Sequence, residues 1–141
     1  MMSKITKVLM VAALIVAGGS ARLGIAGPED VDPAALAVAQ TYFAALQSGD
    51  RDTLLSLFAG RALASNQAQL NDPDYSQFLV DRYSNARLEV INGGVQNGIS
   101  FVDVAIWLND TESVRERLVM KPSADSAGSA LHIVSQTELM D

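Results

Sequence analysis

Leu36-Ala37-Val38-Ala39-Gln40-Thr41-Tyr42-Phe43-Ala44-Ala45-Leu46-Gln47-Ser48-Gly49-Asp50-Arg51-Asp52-Thr53-Leu54-Leu55-Ser56-Leu57-Phe58-Ala59 reads as a long amphipathic helix, a Gly-Asp break and a short second helix with two apolar faces. Leu36, Ala39, Phe43 and Leu46 recur at helical spacing, with Ala35 and Tyr42 beside them, which predicts one buried stripe. Upstream, Asp32-Pro33 is a start signal. Asp can cap free backbone N–H groups, and Pro lacks only an N–H that has no helical partner at that position. Downstream, Gly49 stops the helix because Gly tolerates the left-handed conformation past a C-terminus. Asp50 or Asp52 then caps a second helix carrying Leu54, Leu55, Leu57 and Phe58, which Gly60 is expected to end.

Residues 61–71 are ambiguous. Ala62 and Leu63 extend a turn at most, while Ser65, Asn66 and Asn71 favour a loop. Asp72-Pro73 starts another helix, with Tyr75, Phe78, Leu79, Arg82 and Tyr83 at i, i+3, i+4, i+7 and i+8. From Ala86 onward the period becomes two. Leu88 and Val90 alternate with Arg87 and Glu89, and Gly93-Gly94 and Asn97-Gly98 bracket a turn. Residues 99–108 put Val102, Val104, Ile106 and Leu108 on one face and Phe101, Asp103, Ala105 and Trp107 on the other. After a turn at Asn109-Asp110, residues 113–121 alternate Val114, Glu116, Leu118 and Met120 with Arg115, Arg117 and Val119. Residues 122–129 are small and turn-rich, and residues 130–139 form the last strand, with Leu131 and Ile133 inward and His132 and Val134 outward. Helices first and strands afterwards predict an α+β fold, the helices packed on one face of an antiparallel sheet of about four strands.

The chain has 141 residues, enough for one domain. Lys4 and Lys7 precede an apolar run from Val8 to Ala17, and Gly18-Gly19-Ser20-Ala21 follows. That order predicts a secretory signal peptide over 1–21, cleaved after Ala21 or as late as Ala26, with a linker over 22–31 and a single domain over 32–141. A membrane anchor is the weaker alternative, since roughly 18 or more apolar residues are needed to span hydrocarbon and Arg22 ends the segment early. The expected location is periplasmic or secreted, with no membrane contact after cleavage. Cleavage removes two lysines and no acid, so the net charge becomes more negative than the −6 of the whole chain. An acidic surface repels phosphate backbones, so nucleic acid is not an expected partner. The absence of Cys excludes disulfides, thiol nucleophiles and thiolate metal sites.

The helix–Gly-Asp–short-helix unit from Tyr42 to Phe58 resembles the opening of the nuclear transport factor 2-like superfamily, the cone-shaped α+β fold also seen in ketosteroid isomerases. Tyr75-Ser76-Gln77-Phe78-Leu79-Val80-Asp81-Arg82-Tyr83 and the strands after it are similar to small exported bacterial members of that group. The resemblance spans Asp32 to Glu138. One departure stands out: where such domains often end with Trp, a basic residue and an aliphatic one, this chain has Leu131-His132-Ile133. The resemblance implies a curved sheet around a helix-lined pocket, and frequent dimers through the outer sheet face. It implies no single activity, because this fold hosts enzymes, binding modules and assembly domains.

Against that background Tyr42, Phe58, Tyr83, Glu116 and Leu118 are the candidate pocket residues. Phe101, Trp107, Val119, His132 and Val134 are the candidate interface residues, all on the outer face by strand parity. Glu116 shares parity with Leu118 and Met120; a strand-end charge reaching solvent is its ordinary reading, a pocket carboxylate its sharper one. Asp103, a general base under the resemblance, falls on the non-core face and is read instead as an ion-pair partner of Arg115 or Arg117. His132 is the single His, and with no Cys it makes no zinc site. No nucleophile elbow, metal motif or phosphate-cradling glycine pattern appears, so no catalytic residue, metal or cofactor is assigned. The residues favour a non-catalytic exported binding or interaction domain, a homodimer that holds a small apolar molecule or pairs through its outer face. The alternative is a small lyase or isomerase using a pocket carboxylate and a Tyr.

Overall fold

The computed structural model describes residues 30–122 and 130–139. The expected signal peptide, most of the linker and the turn-rich segment 123–129 lie outside the described residues. Helices α1 (Pro33–Ser48), α2 (Arg51–Leu57), α3 (Gly60–Leu70) and α4 (Tyr75–Tyr83) come first. Strands β1 (Arg87–Gln96), β2 (Ile99–Trp107), β3 (Ser113–Pro122) and β4 (Leu131–Glu138) follow. The strands form one antiparallel sheet in the order β1-β2-β3-β4. The fold is α+β, with the helices on one face of a curved sheet.

Local chemistry explains the helix ends. Gly49 adopts φ 68° past α1, and its neighbour Asp50 caps α2 by accepting from Thr53 N at 3.1 Å. Bonds from the Thr53 side chain and backbone hold the Asp50 carboxyl below its usual range. Asp32, by contrast, makes no side-chain cap bond; Pro33 at the first helical position marks the start of α1. The ambiguous stretch 61–71, whose polar residues favour a loop, is helical as far as Leu70 and forms nearly all of α3. Gly60, expected to end a helix, begins this one, with φ 55°. Ala62, Asn66 and Leu70 fall at four-residue spacing, and Ala62 and Leu70 are buried, so packing overrides the polar local composition. The next helix begins at Tyr75 rather than at Pro73.

The buried line of α1 is Ala35, Ala39, Tyr42, Ala45 and Leu46, turned slightly from the predicted stripe, with Leu36 and Phe43 half-buried at its edges. The small residues allow close approach to the sheet, where Val102, Val104, Ile106, Leu118, Met120 and Ile133 complete the core. Val31, placed in the expected linker, packs into this core beside Gly93, where an added Cβ would lie 2.6 Å from Val31 Cγ2. Phe78, expected in the buried stripe of its helix, is 52% exposed and stacks on Tyr75; Leu79 takes the core position. Gly93-Gly94 belongs to β1, and the hairpin turn is Asn97-Gly98, both at positive φ as a two-residue turn requires.

Two bulges interrupt strand alternation. The β1–β2 register shifts between Val90 and Asn92, skipping Ile91. The β3–β4 register pairs Met120 with Ile133 but Val119 with Ser135, skipping Val134. An extra residue bends the strand and re-aims the side chains beyond it. Past Val134, Gln136 and Glu138 therefore stand opposite Leu118 and Glu116, on the helix-facing side. The edge of β4 is covered where Phe58 bridges to Ile133 and Ala59 N donates to Ile133 O at 2.9 Å.

Candidate functional site

Between the helices and the β3–β4 end of the sheet lies a recessed, partly open cavity of about 210 Å³. Leu46, Leu54, Leu70 and Leu79 supply its apolar surface, and Tyr42, Phe58, Tyr75 and Tyr83 its rings. Its polar side is Asn66 from α3, Glu116 from β3, and Gln136 and Glu138 from β4. Tyr42 and Phe58 meet edge to face at 6.1 Å between centroids.

The polar groups form a directed chain. Asn66 Nδ2 donates to Ala62 O at 2.7 Å and to Gln136 Oε1 at 2.8 Å. Gln136 Nε2 donates to Tyr42 Oη at 2.9 Å, and the Tyr42 hydroxyl donates to Glu116 Oε1 at 2.9 Å. Each donor points toward the next acceptor, and the chain ends on the carboxylate. Burial pushes the Glu116 carboxyl up; the hydrogen bond from Tyr42 opposes this, the charge of Glu138 adds to it and Arg82 opposes it. Burial, with the neighbouring Glu116 charge and hydrogen bond adding, raises the Tyr42 phenol well above its usual range, so Tyr42 remains a proton donor. Burial also raises Tyr75.

Tyr42, Phe58, Tyr83 and Glu116 all line this cavity. Leu118, also expected there, does not. It is fully buried in the core opposite Val102, two residues along β3 from Glu116, where the sheet has no surface left to offer. Asn66, Gln136 and Glu138 escaped the sequence reading. Asn66 is itself a residue that favours a loop in an ambiguous stretch, although its spacing from Ala62 and Leu70 puts it on their helix face. Gln136 and Glu138 were hidden by the bulge, whose trace in sequence is the adjacent apolar pair Ile133-Val134, where alternation fails.

The outer face is arranged differently from a bare apolar surface. Phe101, Trp107, Val119, His132 and Val134 are each half-buried. Arg117 lies 4.4 Å over the Phe101 ring and Arg87 5.1 Å over that of Trp107, whose Nε1 donates to Glu89 at 2.8 Å. Asp103 is paired with Arg117 through bonds of 2.7 and 2.9 Å. His132 Nδ1 and Asn92 Oδ1 are buried without a hydrogen-bond partner among the described residues. No group of His, Cys, Asp and Glu suited to a metal ion occurs among the described residues, and no described helix is long and apolar enough to cross a membrane. Compared with protein-family models and with curated proteins, the chain matches none.

Proposed function

We propose that the protein is an exported binding domain that holds a small molecule in the cavity bounded by Tyr42, Phe58, Tyr83 and Glu116, within a nuclear transport factor 2-like cone. The observation that carries this reading is the hydrogen-bond chain Asn66–Gln136–Tyr42–Glu116 on one wall of a leucine-lined recess. Fixed polar groups set against apolar surface are the usual makeup of a small-ligand site. The cavity is small: at about 30 Å³ per water it has room for roughly seven waters. That size suits a metabolite fragment. The test is a fragment screen by ligand-observed NMR, followed by mapping of hits on the protein's amide resonances. Hits that shift Tyr42, Phe58 and Glu116 support the reading; hits that cluster only on the outer sheet face contradict it.

An isomerase or lyase is the second reading, favoured by the raised Glu116 carboxyl inside a recess. Binding has the stronger support because both partners of that chemistry are already engaged. The Tyr42 hydroxyl donates to Glu116 and its oxygen accepts from Gln136, which leaves no free phenol aimed at a substrate. Turnover of a bound fragment in solvent-exchange NMR, abolished in Glu116→Gln, would favour the catalytic reading.

A further inference from the structure

Resting on the reading of the cavity as a binding site, we propose that its ligand is a small organic cation, a protonated or quaternary amine about the size of choline. Four aromatic rings and two carboxylates face the space, and no Lys, Arg or His is among its lining residues. Aromatic faces carry negative quadrupole density that attracts alkylammonium groups. An anion here meets Glu116 and Glu138. A neutral apolar molecule displaces water from the half-buried Glu116 and leaves its charge with only the Tyr42 bond and the field of Arg82 to offset it, which is costly. A cation is the one class that compensates the carboxylates and uses the rings as well.

The carboxylate is prepared for this. Glu116 Oε1 is fixed by Tyr42, which holds the carboxylate at the wall of the space. The protein's own side chains show the same chemistry at the rim. The Arg82 guanidinium rests 5.4 Å from the Tyr83 ring centroid, and its Nε donates to Tyr83 Oη at 3.1 Å. Arg82 also bears electrostatically on Glu116, so it is an internal competitor of the ligand. The size fits too, since about seven heavy atoms fill a space for roughly seven waters.

The test compares choline with 3,3-dimethylbutan-1-ol, its uncharged carbon isostere, by amide chemical-shift titration of the purified protein at constant ionic strength. Choline is expected to shift Tyr42, Phe58 and Glu116 and to bind at least tenfold more tightly than the isostere. Glu116→Gln is expected to weaken choline at least tenfold and leave the isostere unchanged; Glu138→Gln, farther from the Tyr42 bond, is expected to weaken choline severalfold and guards against misfolding of the first variant. Equal binding of the isostere overturns the cation assignment and leaves the cavity reading standing. Absence of any choline shift at these residues also overturns the cation assignment. The cavity reading then stands or falls separately, on whether neutral or anionic fragments shift the same resonances.

Discussion

Glu116 and Gly49 show most clearly how single residues set the properties of this molecule. Because burial penalises the ionised form of Glu116, the folded chain keeps this proton at pH values where the unfolded chain has released it. Its contribution to stability is fullest below the unfolded-state pKa and declines as pH rises through the raised folded value. Glu116→Gln removes that decline. In urea unfolding between about pH 4 and pH 8, the variant is expected to lose less stability than the parent as pH rises; parallel curves would contradict the account. Asp50 works with the opposite sign and at lower pH, losing its contribution only as pH falls through its depressed value. At Gly49 the backbone sits at φ 68°, and an added Cβ would lie 2.5 Å from the Ser76 carbonyl oxygen. Gly49→Ala is expected to cost at least about 2 kcal/mol in denaturant unfolding, from left-handed strain and the crowding of α4 together. Gly49 was legible in sequence because a helix stop has its own residue chemistry. The partner of Glu116 was not, because nothing in local spacing tells Tyr42 that it will meet β3.

At the scale of elements, long periodic segments announced themselves and contested ones did not. α1 and β2 carry unbroken apolar periods, so their type followed directly; α1 is turned slightly by the closeness that Ala35 and Ala39 permit, and β2 also buries Asp103 and Ala105 on its other face. α3 was hidden because Ser65, Asn66 and Asn71 weigh against a helix locally, while burial of Ala62 and Leu70 decides for it. In β4, one extra residue at Val134 inverts the faces of everything after it, and a period-two reading cannot anticipate an inversion. Pairing of β2 with β3 was readable as far as the face: matching apolar sides put Asp103 with Arg115 and Arg117, and the register selects Arg117. That pair has an asymmetry that can be measured. Asp103 is 3% exposed, whereas the Arg117 side chain is 44% exposed. Arg117→Met strands a buried carboxylate and is expected to cost about 2 kcal/mol, the low side for a broken buried pair because water reaches the vacated position. Asp103→Asn keeps an acceptor and is expected to cost about 1 kcal/mol. The reverse order in urea melts would show that Asp103 is solvated.

For the whole molecule, the fold divides the sheet into two faces with different chemistry. One packs under four helices and opens at the β3–β4 end into the cavity; the other covers its aromatic rings with Arg117 and Arg87. The helix-then-strand order made this layering readable before any coordinates. The recess itself arises from the meeting of all four helices with β3 and β4, a long-range event that no single segment encodes. What unites the account is a donor chain that delivers a hydrogen bond to a carboxylate held in that recess. The direct measurement is a pH titration of the Glu116 side-chain carboxyl carbon by ¹³C NMR, in the parent and in Tyr42→Phe. The predicted result is a midpoint above that of glutamate in the unfolded chain, moving higher still in Tyr42→Phe, where the opposing hydrogen bond is gone. A midpoint at or below the unfolded value, unmoved by Tyr42→Phe, would contradict it.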